Sequence, residues 1–101
     1  MEPVSLDGLD ARTFEERCGS SFTLKTGGDP IVLCLEKVRM LGHRREGASR
    51  DPFAIEFRGP SGVLIPQKTY QIEQEDGSPL EIFLVQIADK PDGSLFEAIF
   101  T

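Results

Sequence analysis

Apolar and polar residues alternate at period two along most of this chain, in short runs closed by glycine- or proline-bearing turns. Phe53, Ile55 and Phe57 alternate with Ala54, Glu56 and Arg58. Phe22 and Leu24 alternate with Ser21, Thr23 and Lys25, and Ile31, Leu33 and Leu35 share one face of the next run. Such alternation is the mark of strands with one buried face, because successive side chains leave a strand on opposite sides. Gly27-Gly28-Asp29-Pro30, Gly59-Pro60-Ser61-Gly62, Asp76-Gly77 and Pro91-Asp92-Gly93 supply the turns.

Read in this way the chain has six strands. Val38 falls three positions after Leu35 and breaks the alternation, so a β-bulge near Glu36-Lys37 is expected to return it to the core. Tyr70 and Ile72 mark the fourth strand, with Pro66 at its entry and the Tyr70 hydroxyl expected near a polar partner. The fifth, Leu80 to Ile87, is apolar at nearly every position, which predicts burial on both faces or a bulge. The sixth puts Phe96, Ala98 and Phe100 on one side. Val63, Leu64 and Ile65 precede Pro66 in a connection expected to pack down over the core.

One segment reads as helix, with Asp10 as its cap, Leu9, Phe14 and Cys18 on its apolar side, Glu15 and Glu16 in water, and Gly19 as its stop. At about two turns it is too short to stand alone, so it is expected to plug one end of the sheet. The fold class is therefore mainly β: a small antiparallel six-stranded barrel or rolled sheet with one short N-terminal helix. The chain is 101 residues long, which fits a single β domain over 1–101.

A formal net charge of -6 disfavours nucleic acid and anionic membranes as partners, since both need a dominant basic surface. The first residues, Met-Glu-Pro-Val-Ser, are polar and do not resemble a secretion signal, and no apolar run is long enough to span a bilayer. A cytoplasmic protein is the expectation. Cys18 and Cys34 form no C-x-x-C pair; Cys34 reads as a buried free thiol, and a Cys18–Cys34 disulfide stays open.

Candidate chemistry is sparse. His43 is the single histidine, beside Arg44 and Arg45 in a polar segment, and no neighbouring carboxylate is placed to orient it. Calcium-loop, dinucleotide and phosphate-loop motifs are absent, as is a zinc ligand set, so no catalytic residue, metal or cofactor is expected. The local departure from the acidic background is Lys37, Arg39, Arg44, Arg45 and Arg50, opposed within that stretch by Glu46. Arginine matches carboxylates and phosphates with two parallel hydrogen bonds. Arg44, Arg45 and Arg50 are therefore the candidate partner contacts. The cyclic-dinucleotide barrels of the PilZ type are similar in size and strand number. Here, however, the spacing from Arg45 is wrong, Glu81 stands where their strand motif has glycine, and the arginines follow two strands instead of preceding the barrel.

Phe57-Arg58-Gly59-Pro60, Leu64-Ile65-Pro66-Gln67 with Thr69-Tyr70, Ile82-Phe83-Leu84-Val85 and Phe96-Glu97-Ala98-Ile99-Phe100 occur in that order. In this the chain resembles a family of small bacterial domains of unknown function, encoded near phage-tail-collar-like proteins. The resemblance implies no catalytic residues. It implies an accessory role beside a tail-fibre or adhesin-like assembly, with a protein partner, tail-collar-like in kind. The overall expectation is a non-enzymatic binding or assembly module, monomeric or homodimeric. A small barrel binding a phosphate- or carboxylate-bearing ligand at its mouth is the alternative.

Overall fold

The structure, a computed structural model, describes residues 11–42, 46, 51–75 and 77–100. A short helix, α1 (Ala11–Glu15), is followed by six strands: β1 (Ser21–Lys25), β2 (Ile31–Met40), β3 (Phe53–Gly59), β4 (Lys68–Glu73), β5 (Pro79–Lys90) and β6 (Gly93–Phe100). They close into an antiparallel barrel in the order β1-β2-β3-β6-β5-β4. Closure removes most of the sheet edge that an open six-stranded sheet would present.

The two long strands make closure possible. β2 pairs with β1 through Ile31–Cys34 and with β3 through Cys34–Met40. β5 pairs with β4 through Pro79–Leu84 and with β6 from Val85 onward. Each thus turns a corner between two neighbours, and each carries an irregularity there, between Leu35 and Lys37 and between Gln86 and Ala88. A bulge bends a strand and increases its twist, which is what a corner requires. The expected bulge at Glu36-Lys37 is present. For β5 the bulge is the correct reading and burial on both faces is not: Phe83 and Ile87 face solvent.

The alternating residues meet inside. Phe22, Leu24, Leu33, Leu35, Ile55, Phe57, Ile72, Leu80, Ile82, Leu84 and Phe96 are buried and form one cluster. This fills the interior with side chains, as expected of a barrel with few strands. Phe14 of α1 closes one end against Phe53 and Phe100, with ring centroids 5.9 and 5.3 Å away, and those two rings stack at 4.9 Å. The helix is a plug, as its pattern predicts.

Two expectations are corrected. Cys34 is exposed, because Leu33 and Leu35 point inward and the residue between them must point out. Cys18 is exposed too, in the turn after α1, and does not share the helix's buried side. Both are free thiols. Gly19 N donates to Leu35 O at 2.7 Å and Leu35 N to Ser20 O at 3.1 Å, so Cys34 opposes Ser21, three residues beyond Cys18. Leu9, Asp10 and His43 lie outside the described residues.

Candidate functional site

The barrel has two unlike ends. At the α1 end the helix, the β4–β5 turn and the bases of the β2–β3 connection come together, with Leu41 N donating to Pro52 O at 3.0 Å. At the opposite end the β1–β2 turn faces the connection from β3 to β4, residues 60–67.

That connection is built as an extended arm. Gly62, at φ +81, turns the chain and its N–H donates to Asp89 Oδ1 at 2.9 Å. Gln86 then holds the next stretch with both ends of its amide: Oε1 accepts from Ile65 N at 3.0 Å, and Nε2 donates to Val63 O at 2.8 Å. Ser94 Oγ donates to Asp89 Oδ1 at 3.1 Å and completes the set. Val63 and Ile65 pack on the core. Leu64, between them, points the other way and is 82% exposed. Val63 and Ile65 meet the expectation that this stretch covers the core, and Leu64 does not. The period-two rule applied to these three residues alone predicts that outcome.

Beside the arm lies a groove of about 510 Å³ lined by Thr26, Ile31, Val63–Pro66, Lys68 and Tyr70. Its second wall is held by Thr26, whose Oγ1 donates to Asp29 O at 3.2 Å and accepts from Gly28 N at 3.3 Å. Tyr70 donates its hydroxyl proton to Pro66 O at 2.6 Å, with its ring buried in the core cluster. Burial pushes its phenol above the usual tyrosine value. The Lys68 ammonium stands 5.1 Å from the centre of that ring, a cation–π distance. Among the described residues no carboxylate pairs with it. A second cleft, lined by Leu64, Ile65 and Gln86–Asp89, lies against the same arm, so Leu64 stands as a ridge between two depressions. Apolar walls with one cation suit an apolar group that carries a carboxylate. Nothing in the sequence marks Lys68; only the fold brings it to the groove.

Arg44, Arg45 and Arg50, the arginines singled out by sequence, lie outside the described residues. The rest of the basic cluster is accounted for. On the outer face of the sheet Lys37 pairs with Glu56 at 3.4 Å, and Arg39 with Glu56 at 3.7 Å and Glu97 at 2.8 Å. Arg58 joins Glu36, which raises its already high pKa, first through their hydrogen bond and then through their charges, and it reaches Asp92 at 3.5 Å. The β2–β3 connection leaves from the α1 end and the groove sits at the other. Lys68 is the cation that lines the groove.

Among the described residues no three His, Cys, Asp or Glu side chains gather as a metal site, and no helix is long and apolar enough to cross a membrane. No curated protein and no solved structure matches the chain. The model of one family, described as Domain of unknown function (DUF6916), matches residues 9–100, and the chain belongs to that family.

Proposed function

We propose that this domain is a non-enzymatic binding and assembly module that holds a protein partner at the groove end of its barrel. The observation that carries the reading is Leu64. It is a large apolar side chain left in water on an arm whose backbone is tied down on both sides of it. An anchor that is already ordered loses little entropy when a partner covers it, and apolar anchors beside clefts carry much of the energy of interfaces. In the finer form of the proposal the partner belongs to a phage-tail-like or surface-fibre assembly in a bacterial cytoplasm. The ordered motifs from Phe57 to Phe100 support that form through their resemblance. Arg44, Arg45 and Arg50 form a second contact in this reading.

Capture from host lysate with tagged protein tests it, with Leu64→Asp and the triple Arg44, Arg45, Arg50→Ala variant alongside. A specific large partner, lost with Leu64→Asp, supports the groove end. Loss with the triple variant supports the second contact. Lys68 favours one alternative, a small carboxylate- or phosphate-bearing ligand in the groove. A metabolite panel that raises Tm for the wild type and not for Lys68→Ala would establish that alternative in its place.

A further inference from the structure

The groove is also the side of a strand. β4 spans Lys68–Glu73 and pairs with β5 over its whole length. On its other side β1 pairs only with Gln71–Glu73, because β1 ends at Lys25 and the chain turns away at Thr26. Among the described residues no strand lies along the second edge of Lys68–Tyr70. That edge borders the groove whose walls are Ile31, Val63, Leu64 and Ile65. An unpaired strand edge next to apolar walls is the arrangement by which sheets accept an added strand.

We infer that the groove takes an extended peptide segment of the partner, which adds to the Lys68–Tyr70 edge and sets a carboxylate against Lys68. The inference rests on the proposed binding function and gives that partner its chemistry. Backbone pairing supplies the orientation. Alternate apolar side chains of the peptide enter the groove between Ile31 and the arm, and Leu64 covers them from outside. Lys68, held over a ring instead of a carboxylate, is the cation that selects an acidic side chain or a free C-terminus. Against an overall charge of -6 an acidic peptide needs a local cation where it docks, and Lys68 supplies one at this groove.

The test is an amide-shift titration of the full-length protein with hexapeptides of alternating valine and threonine in three forms. One has a free C-terminal carboxylate, one an amidated C-terminus, and one the free carboxylate with alternate backbone amides methylated. The free-acid form is expected to give saturable shifts at Lys68, Thr69 and Tyr70. Amidation, or Lys68→Glu in the protein, is expected to weaken binding about tenfold. Backbone methylation is expected to abolish it. No shift at those residues up to about 1 mM peptide, the limit of weak binding, overturns the inference, and so does equal binding of the methylated form. If either occurs while lysate capture still depends on Leu64, the binding function stands and the added strand fails. If the peptide binds as expected while capture is indifferent to Leu64, the strand edge stands and the proposed role of Leu64 fails.

Discussion

Glu56 and Glu97 sit directly opposite each other on β3 and β6, and Arg39 of β2 reaches both, at 3.7 and 2.8 Å. Like charges in directly opposed positions destabilise a sheet. These two carboxylates are largely covered, with 14% and 18% of their side chains exposed. Arg39 therefore holds a repulsive pair together. Arg39→Ala is expected to cost about 1 kcal/mol, more than a lone surface ion pair contributes, because it leaves that repulsion in place. Chemical denaturation with urea, an uncharged denaturant, checks this. Adding Glu97→Gln to Arg39→Ala is expected to restore most of the loss, and added salt to reduce it.

Gly59 ends β3 where two core side chains converge. A Cβ there would lie 2.8 Å from Leu33 Cδ2 and 2.9 Å from Phe96 Cε2, both residues fully buried. Neither can give way without disturbing the core, so Gly59→Ala is expected to destabilise the fold by about 1–3 kcal/mol, the usual cost of overpacking. Thermal unfolding measures it as a lowered Tm.

Gln86 ties the arm to β5. Gln86→Ala strands the Val63 carbonyl and the Ile65 N–H in a half-buried setting, and about 1–3 kcal/mol is expected to be lost. Amide exchange is expected to accelerate at Val63 and Ile65 before it does in β3 or β6. The same variant weakens partner capture if the arm must be ordered in advance.

Tyr70 is the single tyrosine in the chain, so its ionisation can be followed directly by ultraviolet absorbance. Its phenol is raised by burial in the folded state. Below the unfolded value of about 10 the group is neutral in both states and contributes no pH dependence. As pH rises past that value the unfolded chain ionises first, so the unfolded state holds fewer protons and stability falls. The titration midpoint is expected above that of the urea-unfolded chain. Tyr70→Phe, which removes the bond to Pro66 O, is expected to cost about 1 kcal/mol near neutral pH.

The barrel was legible because its signals are local. Phe53, Ile55 and Phe57, or Phe96, Ala98 and Phe100, declare a buried face without reference to any other segment. The misfit of Val38 likewise reports its bulge from within one strand. Cys34 was misread by composition, since cysteine is often buried; the alternation of its neighbours had the right answer. Lys68 and Tyr70 were a different matter. Their groove exists because β1 stops at Lys25, β5 passes β4, and Gln86 holds an arm more than twenty residues away in sequence, so no window of sequence contains it. The basic cluster divided for the same reason. Lys37 and Arg39 belong to an outer-face ion-pair set whose acids come from β3 and β6.

The most direct measurement is lysate capture by the wild type and by Leu64→Asp, with equal Tm for both as the control for folding. A binding module that works through its groove end captures one specific partner with the wild type and loses it with the variant. Capture of the same partner by both proteins, or by neither, contradicts the account.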